Sequence, residues 1–167
     1  MDPYAARMVA RGPTLADDRD TWTGSLHIVD LPDADAAREF VEREPYNRAG
    51  LFESHLICRF ANLLGRTMWD YPGDPLDPRF LVIAHLSTEG PDRSVPASRS
   101  GLTTLPSERL IVHGELSTLD TETPAGAVVA IEAPASTTAD ELPRMGLAGL
   151  DERFHLEIHN WEFGGRR

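Results

Sequence analysis

The chain has 167 residues, of which 41% are hydrophobic, and its formal net charge is −11 at pH 7. This composition is typical of a globular protein, and the length suits one ordinary domain or two very small ones on a shared core. The negative charge disfavours a nucleic-acid backbone or an anionic membrane surface as partner, because both attract basic patches. The expected partner is a small organic molecule or another protein chain.

All sixteen basic residues are arginine, so no side-chain amine is present for Schiff-base chemistry. The single cysteine, Cys58, cannot form an intramolecular disulfide, and we predict neither a signal peptide nor a membrane-spanning segment. We therefore expect a cytoplasmic protein. The heavy use of Arg, Ala and Pro suggests a bacterial source.

The first half of the chain alternates apolar strand patterns with one helical pattern. In chain order the predicted elements are a short apolar segment at 8–10, a strand at 25–32, a helix at 33–43, a strand at 54–60 and a helical extension at 62–70. Asp33 is the expected N-cap of the first helix. The proline-dense segment 71–78 is predicted to be a linker.

The second half repeats this order and adds a strand in front. Its predicted elements are a strand at 80–86, a loop at 87–109 with a short helix around 106–110, strands at 110–113 and 127–134, a helix at 136–145 and a strand at 154–161. The complete unit has the order strand, helix or loop, strand, strand, helix, strand, which is that of a ferredoxin-like fold. The first half starts at the second strand of that unit.

Two glycines and a proline recur in one register. Each pair is separated by 102 positions (114 − 12, 126 − 24 and 134 − 32): Gly12 and Gly114, Gly24 and Gly126, Pro32 and Pro134. A repeat in one register is typical of an internal duplication.

The residues of the first half resemble the YCII-related family. The pair Gly12-Pro13 ends a strand, as a Gly-Pro pair does in that family, and Glu44-Pro45-Tyr46 followed by Ala49-Gly50 is similar to its Asp-Pro-Tyr and Ala-Gly motif. The resemblance covers roughly residues 8–60. The second half matches by its order of elements and by the run 146–150.

The resemblance implies an α+β, ferredoxin-like fold of the dimeric α+β barrel type, in which two tandem halves form a pseudo-dimer. The expected division is a YCII-like half at 1–70 without its first strand and helix, a linker at 71–78 and a second ferredoxin-like half at 79–167. Some relatives are lyases or dehydrochlorinases with a His/Asp pair as the proposed active site. Here Glu44 replaces the Asp, and the histidine of the first helix has no counterpart.

Four residues are candidates for catalysis. Glu44 precedes a proline at a helix end and could act as a general acid or base, the alternative being a solvated carboxylate beside an arginine. His27, His85 and His113 are assigned to strands, and we expect His85 and His113 to end neighbouring strands and converge near one barrel mouth. Each histidine alone could instead be an ordinary hydrogen-bonded core or surface residue.

Trp22 and Tyr46 could line a barrel-mouth pocket for a planar organic ligand, with Arg11 as a third substrate-binding residue, or the aromatic rings could seal the interface between the halves. No metal or cofactor is expected, because paired cysteines, helical His-x-x-x-His spacing and Gly-rich phosphate loops are missing from the sequence. Cys58 lies mid-strand among apolar neighbours, where a cysteine is usually inert.

The sequence thus favours a small-molecule lyase or isomerase that uses cofactor-free acid/base proton transfer in a barrel pocket, within a bacterial secondary or catabolic pathway. The alternative is a non-catalytic ligand-binding or structural α+β barrel protein. An open pocket that holds Glu44 or a histidine would favour the enzyme, and a filled one the alternative. A homodimer, or the linker, is expected to cover the sheet edge that the first half leaves open.

Overall fold

The computed structural model describes residues 4–74, 76–87, 107–134, 137, 141 and 154–165. The strands are β1 (Met8–Leu15), β2 (Trp22–Val29), β3 (Cys58–Asn62), β4 (Arg79–Leu86), β5 (Leu110–Thr118), β6 (Pro124–Glu132) and β7 (Phe154–Trp161), and the α-helices are α1 (Ala34–Arg43) and α2 (Pro45–Arg48). Most of the helix predicted at 136–145, most of the loop predicted at 87–109 and the run 146–150 lie outside the described residues. None of the described helices is long and apolar enough to span a membrane.

The seven strands form one sheet in the order β2-β1-β7-β4-β6-β5-β3. Every neighbouring pair is antiparallel. The fold is therefore α+β, with a mostly antiparallel sheet that curves nearly into a barrel and few helices. The two halves of the chain share this sheet, because β7 pairs with β1 and β3 pairs with β5.

Helix α1 begins and ends where its sequence predicts. The Asp33 side chain accepts a hydrogen bond of 2.8 Å from the backbone N–H of Ala36, which satisfies one free donor of the first turn. The helix ends before Glu44 because Pro45 disfavours helical backbone in the residue that precedes it. Pro45 is then the first residue of the short helix α2, where its missing N–H costs nothing.

Two glycines of the 102-residue repeat lie where strands of different halves approach closely. A Cβ on Gly12 in β1 would lie 1.8 Å from the carbonyl oxygen of Glu162, which directly follows β7. A Cβ on Gly114 in β5 would lie 2.5 Å from the carbonyl oxygen of Ala61 in β3. Because both distances are far below van der Waals contact, each half needs a glycine at the point where the last strand of the other half passes.

Alternating residues of the central strands enter two apolar clusters on opposite faces of the sheet. One cluster contains Phe80 and Val82 of β4 together with Val129 and Ile131 of β6. The other cluster contains Leu81 of β4, with partners from β1, β2, β5, β6 and β7. The central strands are therefore buried on both faces, which explains why they read as nearly continuous apolar runs.

Four strands differ from the prediction in their bounds by more than one residue, namely β1, β2, β5 and β6, and the pair Gly12-Pro13 lies within β1 instead of ending it. Two further elements differ more. The strand predicted at 54–60 begins at Cys58 and ends at Asn62, because its partner β5 ends at Thr118, which is paired with Cys58. The helix predicted at 62–70 is wrong, since the segment contains only a 3-10 turn at Met68–Asp70. The Asn62 side chain accepts from the backbone N–H groups of residues 64 and 65, at 3.1 Å each, and so folds a turn in place of a helix.

We predict that Gly12→Ala lowers the free energy of unfolding by about 1–3 kcal/mol, because the added methyl group must displace a backbone oxygen. Gly165→Ala is the control, since a Cβ there meets no atom within 4 Å, and it should change stability by less than about 0.5 kcal/mol. Urea unfolding of the two variants makes the comparison. Equal stability of Gly12→Ala and wild type would contradict the close approach of β1 to the segment after β7.

Candidate functional site

A cavity of about 1260 Å³ opens on one face of the sheet. Its walls come from β2, α1, the segment 51–57, β3, and the cavity-facing residues of β4, β5 and β7. Both end strands of the sheet, β2 and β3, contribute to the lining. The cavity therefore lies where the sheet does not close on itself.

A carboxylate joins two imidazoles on the wall of this cavity. Glu157 Oε2 lies 2.9 Å from Nε2 of His85, and Glu157 Oε1 lies 2.7 Å from Nε2 of His159. Glu157 and His159 are two residues apart on β7 and so face the same side of the sheet, while His85 comes from the neighbouring strand β4. All three residues line the cavity.

The two imidazoles keep Glu157 ionised. The hydrogen bond from His85, followed by that from His159, holds the pKa of Glu157 below its ordinary value, and partial burial opposes them. An ionised carboxylate only accepts hydrogen bonds, so each ring presents its Nε2–H to Glu157. In the neutral ring the basic nitrogen is then Nδ1. This is the arrangement in which a carboxylate orients a histidine for proton transfer.

Two of the predicted catalytic residues share the cavity with His85. His27 in β2 lines the cavity, with its ring centroid 5.5 Å from that of Phe40 and its Nδ1 3.5 Å from Ser25 Oγ. Glu44 also lines the cavity, but its Oε2 accepts a 2.7 Å hydrogen bond from the backbone N–H of Asn47. Glu44 therefore caps the start of helix α2, which is a structural task that the sequence did not reveal.

His113 lies elsewhere, so the expected convergence of His85 and His113 is wrong. Strand β6 separates β4 from β5, and His113 stands opposite Val129, a residue of the apolar cluster on the face away from the cavity. The side chain is only 7% exposed, and burial lowers the pKa of His113, so that the ring is neutral at pH 7. His113 belongs to the core.

The predicted aromatic residues form a row that leads from the surface to the cavity. The ring of Trp22 lies 6.2 Å from that of Tyr46, which lies 6.4 Å from that of Phe52, and Phe52 contacts His55 at 5.7 Å. Phe52 and His55 line the cavity, whereas Trp22 and Tyr46 are 64% and 46% exposed. The two predicted aromatics thus lie outside the rim, where they do not seal the halves together.

Arg11 is placed away from this cavity. Its backbone N–H donates to Met68 Sδ at 3.2 Å, and its carbonyl oxygen accepts from Gly164 N at 2.8 Å. Arg11 is the register partner of His27 on β2, but it is not among the described residues that line the cavity. A role for Arg11 in substrate binding stays a prediction.

Sequence reasoning missed Glu157 and His159. The predicted strand at 154–161 is confirmed. Alternation along a strand places Glu157 and His159 on the same face, and this was the only sequence feature that could have paired them. The proximity of His85 depends on the pairing of β4 with β7, and a single sequence does not show which strands pair. Across the described ranges, no group of three or more His, Cys, Asp or Glu residues has a geometry that could hold a metal ion.

We predict that His85→Leu raises the pKa of Glu157 toward its ordinary value more than His159→Leu does, because the hydrogen bond from His85 contributes most to the lowered pKa. Because that pKa is lowered on folding, the carboxylate stabilises the fold above its ordinary pKa, and this contribution is lost as the pH falls through the folded value. Carboxyl ¹³C NMR titration measures each pKa. A Glu157 pKa that is the same in all three proteins would contradict this geometry.

Residues 2–61 match the model of the YCII-related domain. Neither a search of curated proteins nor a search of solved structures gives a match. The matched segment contains β1, β2, α1, α2 and most of β3, and it supplies His27 and Glu44 to the cavity. His85, Glu157 and His159 come from the remainder of the chain. Residues 2–61 are therefore similar to the YCII-related domain.

Proposed function

We propose that this protein is a small-molecule lyase or isomerase that uses cofactor-free acid/base proton transfer in the open cavity. The observation that carries the proposal is the hydrogen-bonded group of His85, Glu157 and His159 on the cavity wall. A carboxylate that orients an imidazole, beside a space large enough for an organic molecule, is the combination that proton abstraction requires.

His85 is the proposed base. Its Nδ1 removes a proton from a carbon next to an electron-withdrawing group of the substrate, and the Glu157 carboxylate stabilises the imidazolium that forms. In an isomerisation the proton returns to a different carbon of the substrate. In an elimination the electron pair of the broken C–H bond forms a double bond, and the leaving group departs with its bonding electrons.

His27 is the proposed acid that returns a proton or protonates a leaving group, with Glu44 as a further candidate. His27 lies on β2, whereas His85 and Glu157 lie on β4 and β7, so that a substrate in the cavity has acid and base groups on different walls. The mechanism gives no role to His113, which faces the other side of the sheet.

The substrate is expected to be mainly apolar. Much of the lining is aliphatic or aromatic, and Leu26, Ile83 and Leu116 come from three different walls. Binding cavities of this kind bury an apolar body and orient it through a few polar groups. The aromatic row from Trp22 to His55 is the proposed entrance for a planar molecule.

The competing function is ligand binding without catalysis, or a purely structural barrel. A structural barrel would fill its interior with side chains, and the open cavity disfavours it. Ligand binding without chemistry predicts that a bound compound exchanges no carbon-bound proton. Hydrogen exchange in D₂O distinguishes such a binding protein from the enzyme.

We also propose that the chain is a pseudo-dimer of two ferredoxin-like halves. Within the second half the strands lie in the order β7-β4-β6-β5, which places its fourth, first, third and second strands side by side. In both halves the last strand pairs with the other half, β3 with β5 and β7 with β1. By this symmetry an eighth strand would lie between β2 and β3, where the cavity opens.

A second copy of the chain is the proposed cover for this opening. Leu51 and Leu56 line the cavity at the opening and are 65% and 59% exposed, which is unusual for two neighbouring leucines. Unpaired strand edges beside exposed apolar side chains favour association. The proposed protein is thus a cytoplasmic homodimer that binds a small organic molecule.

The function is tested by hydrogen exchange in D₂O. The protein is incubated with a panel of apolar ketones, lactones and chlorinated hydrocarbons, and ¹H NMR follows the loss of carbon-bound protons and the appearance of product. We expect at least one compound to exchange or react, and His85→Leu to slow that reaction at least about 100-fold. Arg48→Leu is the control, because Arg48 is exposed on α2 and does not line the cavity.

Compounds that bind without exchange or reaction would contradict the enzyme and support the binding protein. Equal rates for wild type and His85→Leu would contradict the assignment of His85 as base.

The dimer is tested by size-exclusion chromatography with light scattering. We expect twice the mass of one chain for the wild-type protein and a shift toward the monomer for Leu56→Glu, because a charge at the opening opposes burial. Leu76→Glu is the control, since Leu76 is 86% exposed and does not line the cavity. A strictly monomeric wild-type protein would overturn the proposal.

A further inference from the structure

Helix α1 turns its apolar face toward the open cavity. This face consists of Ala37, Phe40 and Val41, which all line the cavity and are only half-buried. None of the ten residues of α1 is fully buried. A surface helix of a globular protein normally buries its apolar stripe against the core. The apolar face of α1 is therefore incompletely covered as long as the cavity holds no other molecule.

The contacts of Phe40 attach α1 to the first half of the chain. Its ring centroid lies 4.9 Å from that of Tyr4, which precedes β1, and 5.5 Å from that of His27 on β2. The helix itself follows β2 in the chain. These contacts place α1 on the side of the cavity that β2 forms.

Arg38 connects α1 to the second half of the chain. Its Nη2 donates to Oδ1 of Asp120, in the turn between β5 and β6, and its Nη1 donates to Oδ1 of Asp35 at 2.8 Å. This turn lies beside β3, because Arg59 of β3 donates from Nε to the backbone oxygen of Leu119 at 2.9 Å, and both residues line the cavity. The Arg38–Asp120 ion pair thus links the β2 side of the cavity to the β3 side.

This ion pair is a weak link. The side chains of Arg38 and Asp120 are 41% and 68% exposed, and ion pairs with such exposure contribute little stability and are screened by salt. A helix of ten residues is also marginally stable in water without tertiary contacts. Helix α1 therefore has the features of a segment that detaches readily from the rest of the fold.

We propose that α1 is a lid over the main cavity. The lid opens when the Arg38–Asp120 ion pair breaks, and it closes on an apolar molecule in the cavity, which completes the burial of the apolar face of α1. Lids of this kind exclude water from a site and limit the rate of ligand release. Because the lid controls only access to the cavity, it acts in the same way whether or not His85 performs catalysis.

The first test is hydrogen–deuterium exchange of the backbone amides of residues 34–43, measured by mass spectrometry on the ligand-free protein. We expect Asp120→Asn to speed this exchange about twofold to fivefold, because loss of the ion pair favours the open lid. Glu122→Gln is the matched control, since this carboxylate lies in the same turn and pairs with Arg59 at 3.5 Å instead of with α1. It should leave the exchange of α1 unchanged.

Equal exchange of α1 in the wild-type protein and Asp120→Asn, or an equal increase in the two variants, would overturn the lid. Slow exchange of β4 and β6 amides in each variant reports that the sheet is folded.

The second test uses the neutral apolar dye N-phenyl-1-naphthylamine, whose fluorescence rises in apolar surroundings. A saturating concentration should slow the exchange of α1 at least about threefold, because the bound dye stabilises the closed lid. Stopped-flow fluorescence should show release from Asp120→Asn about twofold to fivefold faster than from the wild-type protein, and release from Glu122→Gln at the wild-type rate.

No binding of the dye, binding that leaves the exchange of α1 unchanged, or equal release rates from Asp120→Asn and wild type would each contradict the lid. Neither test requires turnover of a substrate. A protein that meets both expectations but catalyses no reaction would therefore contradict the proposed enzyme and leave the lid supported.

Discussion

The architecture depends on the pairing of the last strand of each half with a strand of the other half. Strand β3 pairs with β5, and strand β7 pairs with β1 as well as with β4 of its own half, so the two halves form one sheet. Both crossings require a strand backbone to pass within contact of another backbone, and Gly12 and Gly114 provide the space. The repeated glycines and the continuity of the sheet therefore have one physical cause.

The same strand pairing leaves β2 and β3 at the two ends of the sheet, and the main cavity lies between them. The polar residues of this wall are only partly buried, and they bind one another. Glu157 is satisfied by His85 and His159, which makes the polar part of this wall a single hydrogen-bonded unit. When an imidazole of this group takes up a proton, its positive charge is paired with the Glu157 carboxylate.

Strand β4 contributes both to the wall of the cavity and to the core. Leu81, Ile83 and His85 line the cavity, and they alternate with Phe80 and Val82 of the apolar cluster on the other face. The proposed base therefore lies at the end of a strand that packing fixes on both faces.

The sequence by itself determined most of the local elements and the YCII-related segment, because apolar alternation, an N-cap at Asp33 and the Pro45 break depend on neighbouring residues alone. It also gave His85 and His27 as candidates for catalysis, and both line the cavity. Only the tertiary structure decided that His113 is a core residue, that Glu44 caps a helix, and that Glu157 and His159 meet His85. Those facts follow from which strands pair and in what register, and that choice depends on long-range backbone contacts that no local pattern contains.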